Sequence, residues 1–374
     1  MLKDITFIQN EKNMKLAEKL SNSGVKNLRI TSVGNSIASG YSMTRTIKPL
    51  LLRNESLKEE MEKKNITLEV HNFSRAQNNN DEHVFEWLIA NITENEINRY
   101  NRMDYSNGPN SMSSNGITQE QIENFYPINL ETDKGFKDIV LESNPNLANI
   151  LVYSGCTGSF LDNITRNGKL TQKFTYGINR DLTSLAATLK LIQSNNRING
   201  SNTQVYICGA PNFLGLNISS VINRKLKKLV NQYANVTYVE PIKSKFVYKK
   251  YATTGYGADI HYDEKEYIKL NNNIIESIID NYKSNESLIK IDRIFYNYSK
   301  GIEMYSNEID SKLLEKQTLL FLEEANYSKE DYIEFLKKAK SYLLERAPYD
   351  FYYIGKNNIK RSLSKARKKS KDNL

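Results

Sequence analysis

Apolar residues fall along this chain in short runs separated by longer stretches with a helical repeat. Leu28 to Val33 (Leu-Arg-Ile-Thr-Ser-Val) predicts a short buried strand that ends at Gly34. Ile66 to Phe73 alternates and is rich in strand formers. Asn149 to Tyr153, Thr203 to Cys208 and Val236 to Val239 are three more short apolar strands. Between them, helices are predicted over 43–64, 81–100, 179–196 and 217–234, with a last one over 264–282. Strand–helix alternation at this spacing argues for an α/β layer fold around a parallel sheet.

Two regions break the alternation. Residues 104–130 contain Asn107-Gly108-Pro109 and Asn115-Gly116, show no clear period, and read as a loop insertion in a domain spanning 1–283. Beyond 283, Ser328 and Asp331 form a capping-box pattern, and Tyr332, Leu336, Ala339 and Leu343 share one helical face. Residues 284–355 are therefore expected to be a helical C-terminal appendage, packed against the larger domain.

Charge changes the picture less than its total suggests. The 374 residues carry a formal +9, but residues 356–374 hold eight basic residues and one acid, leaving about +2 for the rest. This tail, with few apolar residues to bury, reads as a disordered terminus. It is the one element that would suit an anionic partner. No nucleic-acid recognition motif accompanies it, which argues against such a partner. At 39% hydrophobic and 25% charged the remainder is an ordinary globular composition. No apolar run approaches the roughly 18 residues of a membrane span. The first twenty residues lack the apolar region of a secretory signal, so a cytoplasmic location is expected. Cys156 and Cys208 are too few for a disulfide framework and lie in no zinc-ligand pattern; buried free thiols are expected, and no metal or other cofactor. Nothing in the sequence sets the oligomeric state.

In an open parallel sheet, ligands bind at the carboxyl ends of the strands. Gly34-Asn35-Ser36-Ile37 follows the first strand directly. A serine on such a strand-to-helix turn can present a nucleophile beside a backbone oxyanion donor, although by itself it reads rather as a helix cap. His261 is one of only three histidines and lies just before the last predicted helix, with Asp259 two residues away. In extended backbone those two project to the same side, so Asp259 can orient the imidazole as a general base. His71 and His83 have mainly structural readings, and Cys156 as an alternative nucleophile has little behind it.

These segments resemble, in order, the sequence blocks of the SGNH (GDSL) hydrolase family over about residues 26–283. VGNSIASGYSM is similar to the nucleophile block. HNFSRAQ (His71 to Gln77) resembles the second block and LVYSGCTG (Leu151 to Gly158) the third, while ADIHYDEKEYIKLNNNII resembles the last. The resemblance implies a three-layer α/β/α fold with a flavodoxin-like parallel sheet, and hydrolysis or transfer of an acyl ester. It makes Ser36 the nucleophile, His261 the base and Asp259 its orienter, with Ser36, Gln77 and Thr157 at the oxyanion hole. Asn35 stands where the family has Asp, Gln77 where it has Gly, and Thr157 where it has Asn; the Asp–His spacing is one residue shorter. Asn78 and Asn79 are candidate substitute oxyanion donors. Losing one oxyanion donor costs about 10²–10³ in rate. The expected substrate is an O-acylated small molecule or carbohydrate. The same blocks suit an acyltransferase, or a catalytically weakened binding protein using the same cleft.

Overall fold

A computed structural model describes residues 2–35, 37–38, 51, 54–75, 82–107, 118–126, 128, 133–154, 172–211, 218–242, 247–251, 255–259 and 262–284. Its centre is a five-stranded, wholly parallel sheet: β1 (Asn27–Gly34), β2 (Thr67–Ser74), β3 (Leu147–Ser154), β4 (Thr203–Cys208) and β5 (Val236–Val239). Their spatial order is β2-β1-β3-β4-β5. The chain thus moves outward from β1 to β2, returns to β3 on the other side, and continues away. The order reverses at β1, between β2 and β3.

Side-chain alternation divides the core into two. Val33, Phe73, Leu151, Tyr153, Val205 and Ile207 point to one face and Leu28, Ile30, Ile150, Val152, Tyr206 and Cys208 to the other. The first face is covered by α3 (Glu82–Ala90), α4 (Glu94–Asn107), α6 (Phe136–Val140), α7 (Gln172–Asn199) and α8 (Ile218–Val230). The second is covered by α1 (Leu2–Asn22), α2 (Ser56–Glu62) and α9 (Glu264–Asn281). With both faces covered, every residue of β3 is buried, which is why that strand reads as a continuous apolar run.

Several expectations need correcting. The single helix over 81–100 is two, because Asn91 takes a left-handed φ of 51° and Thr93 starts a new helix. The Thr93 hydroxyl accepts from the Glu96 amide at 3.3 Å, and the Glu96 carboxylate accepts from the Thr93 amide at 2.8 Å. The stretch 104–130 is not all loop: α4 runs into it, and α5 (Gln119–Phe125) begins with a complete capping box from Thr118 and Gln121. Two elements were not expected. One is α1, whose buried stripe includes Gln9 and Asn13 beside Leu16, Ala17 and Leu20. The other is an antiparallel ribbon of β6 (Val247–Tyr251) and β7 (Gly255–Asp259), which forms a sheet of its own.

The edge strand β2 is guarded by charge. Glu94, in the first turn of α4, accepts from the Asn72 amide and from His71 Nδ1, both at 2.8 Å. An outward-facing amide of the edge is thereby occupied, which blunts pairing with another chain. On the same side Arg29, 2% exposed, bridges Glu69 and Glu142, each at 2.7 Å. Among the described residues no helix is long and apolar enough to cross a membrane. The expected appendage at 284–355, apart from residue 284, and the tail at 356–374 lie outside the described residues.

Candidate functional site

The carboxyl ends of β1 and β3 come together where the strand order reverses, the place at which open α/β sheets bind ligands. Gly34 closes β1 with φ of 149°, and a Cβ there would lie 2.0 Å from the carbonyl oxygen of Ser154. No side chain fits, so the glycine is required by the approach of two backbones. The Asn35 amide then donates to that same carbonyl at 3.2 Å, and the Arg75 amide donates to the carbonyl of Gly34 at 3.0 Å. The ends of β1, β2 and β3 are thus locked together at the turn that carries residue 36.

Asn35 shapes the turn itself. Its side-chain oxygen accepts from the Ile37 amide at 3.0 Å, a two-residue Asx turn. An aspartate at this position could accept the same bond. At 6% exposure the neutral amide also avoids burying a charge.

From the other side, α9 reaches the same turn. The Tyr267 hydroxyl donates to the carbonyl of Ile37 at 3.1 Å. Tyr267 meets Tyr262 edge-on, with ring centroids 5.5 Å apart and planes at 90°. Both rings are fully buried, and burial holds the Tyr262 phenol well above its ordinary pKa, neutral. The residue following His261 is thereby tied, through two tyrosines, to the residue following Ser36. Asp263 is committed elsewhere: it caps α9, accepting from the Glu266 amide at 2.8 Å while Glu266 accepts from the Asp263 amide at 3.0 Å.

The end of β2 is supported from α4. Asn101 of α4 donates to the carbonyl of Ser74 at 2.8 Å, and the buried Arg75 guanidinium lies over the Tyr100 ring, 3.1 Å from its centre. Ser36, Gln77, Thr157 and His261 lie outside the described residues, as do Cys156, Asn78 and Asn79. Asp259 ends β7, in register with Val247. His71 keeps a structural role through Glu94. Cys208 is buried and free, and burial pushes its thiol up to about 12, so it is a protonated core residue. Sequence reasoning missed Tyr262 and Tyr267. Their signal was the pair of aromatics at i and i+5 spanning the start of α9, which reads as ordinary core until Ile37 is known to sit beside it. No protein-family model, curated protein or solved structure matches this chain.

Proposed function

We propose that this chain is a metal-independent serine ester hydrolase of the SGNH type, acting on an O-acylated small molecule or glycan. The strand order 2-1-3-4-5 is that of flavodoxin-like doubly wound sheets, and the Ser36 turn follows the strand at which that order reverses. The observation that carries the reading is the Tyr267 bond to Ile37, because it joins the start of α9 to the Ser36 turn. That bond supports a reading in which a base three residues before the helix serves a nucleophile one residue before Ile37.

In this mechanism the Ser36 hydroxyl oxygen attacks the ester carbonyl carbon while His261 takes its proton, and Asp259 holds the imidazole. Collapse of the tetrahedral adduct breaks the bond to the alcohol oxygen, which leaves with the proton from His261. Water, deprotonated by His261, then attacks acyl-Ser36; the bond to the Ser36 oxygen breaks, the acid leaves, and His261 returns the proton to Ser36. The oxyanion receives the Ser36 amide and donors at Gln77 and Thr157. Incubation with a fluorophosphonate followed by peptide mass spectrometry tests the reading. Labelling at Ser36, lost in His261→Ala, is the expected result. An unlabelled Ser36 overturns the hydrolase and leaves the cleft with a binding role.

A further inference from the structure

Four large hydrophobic side chains stand exposed among the described residues, and three of them fall on α1. These are Phe7, 70% exposed, with Ile8 and Met14; the fourth is Met103 on α4. Phe7 and Met14 are two helical turns apart, so they share one line of α1 with Glu11 and Glu18. That line lies opposite the stripe of Gln9, Asn13, Leu16, Ala17 and Leu20 that α1 buries. A helix with apolar residues on its outer side as well as its inner one has two faces to cover, and the α/β unit covers one.

The bonds between α1 and α9 fix the level of the outer face. Lys12 donates to the carbonyl of Asn272 at 3.4 Å and pairs with Glu276 at 2.8 Å, and Lys19 donates to the carbonyl of Ile279. The offset at both carbonyls is 260 residues, so the two helices run parallel and in step. Phe7 therefore stands level with Tyr267, the residue by which α9 reaches the turn after β1. The chain leaves the α/β unit from the other end of α9, past Tyr282 and Lys283.

The sequence beyond α9 supplies an occupant. After the capping pattern of Ser328 and Asp331, helical spacing puts Tyr332, Phe335, Leu336, Ala339 and Leu343 on one face. From Ser284 back to the level of Phe7 is about 25 Å along α9. Residues 285–327 reach about 35 Å as a flexible chain, so the segment can return that far. From Phe335 to Leu344 it carries Lys337, Lys338 and Lys340 and no acid, which suits a face bearing Glu11 and Glu18. A second copy paired symmetrically through the same line would instead bring the glutamates of both copies into one seam.

We infer that residues 328–343 dock as a helix on the outer face of α1, over Phe7 and Met14, at the level of the turn that carries residue 36. The docking is independent of the hydrolase reading.

Cross-linking of the unaltered full-length chain with an amine-reactive suberate, as a mixture of isotope-labelled and unlabelled protein, tests the contact. The expected link joins Lys15 to Lys337, Lys338 or Lys340 within chains of a single isotope. Links of mixed isotope would give the face to a second copy and overturn the inference, as would the absence of any link between α1 and this segment. Native-state cleavage by trypsin at the same three lysines then reads how firmly the segment is held. Phe7→Ser with Met14→Ser should speed cleavage about tenfold, because apolar area leaves the contact and the open form is more populated. Leu336→Ser with Leu343→Ser should do the same, and combining the two pairs should add little, since the contact is already lost. Met103→Ser, on α4, should leave cleavage at the parental rate. A parental rate in the Phe7 and Met14 variant, or effects of the two pairs that multiply, would overturn the inference.

Discussion

A few atoms at the end of β1 decide whether a site can exist there. Adding one methyl group in Gly34→Ala would drive a Cβ into the Ser154 carbonyl. Backbone, not a flexible side chain, must give way, and the variant should lose about 2–3 kcal/mol in a urea melt together with its fluorophosphonate labelling. Asp259 makes a different prediction. If it orients His261, Asp259→Asn should lower kcat by about 10²–10⁴ on a short-chain activated ester, at nearly constant KM. Asp263 is not available to substitute, since its carboxylate is spent capping α9. A harmless Asp259→Asn would move the orienting role to a backbone carbonyl. Away from the site, Glu69 sets part of the acid stability. Burial works to raise its pKa, but the hydrogen bond and charge of Arg29 outweigh it and hold the carboxyl below its ordinary value. A depressed folded-state pKa stabilises above the unfolded value of about 4.3, and that contribution disappears as pH falls through the folded value. Glu69→Gln should therefore flatten the fall in melting temperature below about pH 4 relative to the parent.

Among elements, α9 reaches the turn after β1 through the Tyr267 hydroxyl. Tyr267→Phe keeps the ring and its edge-on contact with Tyr262, and removes the hydroxyl that donates to Ile37. It leaves a buried carbonyl without that bond, so a loss of about 1–2 kcal/mol is expected. The informative readout is kinetic: kcat should drop while KM holds, because the base segment and the serine turn lose their tie without any change in the substrate's own contacts. A Tyr267→Phe protein with parental kcat would show that α9 reports on stability alone. The same scale shows what the sequence could and could not tell. All five parallel strands were legible: β1, β3 and β4 are short runs buried nearly throughout, and the half-exposed edge strands β2 and β5 are short runs rich in strand formers. The α3–α4 break was legible too, in Thr93-x-x-Glu96, but the apolar period runs across it and masks it. The first helix was hidden because its buried stripe carries Asn13, whose amide pairs reciprocally with Asn54 at 2.7 and 2.9 Å instead of being apolar. The ribbon was hidden because Gly-Tyr-Gly-Ala-Asp has no apolar alternation; only pairing with β6 makes it a strand. The serine turn was readable as a position, and its locks were not, because Ser154, Arg75 and Tyr267 come from remote parts of the chain.

Over the whole molecule, the α/β unit closes where the last helix is bolted down. The Lys283 backbone amide donates to the Gln204 side-chain oxygen at 3.0 Å, and its carbonyl accepts from the Gln204 side-chain nitrogen at 2.8 Å. Its ammonium donates to the carbonyl of Ala234 at 2.7 Å. Tyr282 beside it is buried. These bonds fasten the end of α9 to β4 and to the residue pair before β5, at the end of the sheet opposite the serine turn. The chain beyond Lys283 divides by composition. Residues 284–355 hold apolar and aromatic positions at helical spacing, too few for a large core of their own, and we propose that they pack on the α/β unit. From Lys356 onward almost nothing apolar remains to offset the entropy of ordering. Two truncations separate these segments. Removing 356–374 should leave the melting temperature, Ser36 labelling and ester hydrolysis at parental values, and should abolish salt-sensitive binding to anionic vesicles if the tail has such a partner. Cutting at residue 290 should instead uncover apolar surface, seen as a lower melting temperature and a concentration-dependent rise in light scattering. A soluble 1–289 protein with the parental melting temperature would make residues 284–355 a separate module, held to the α/β unit by covalent linkage alone.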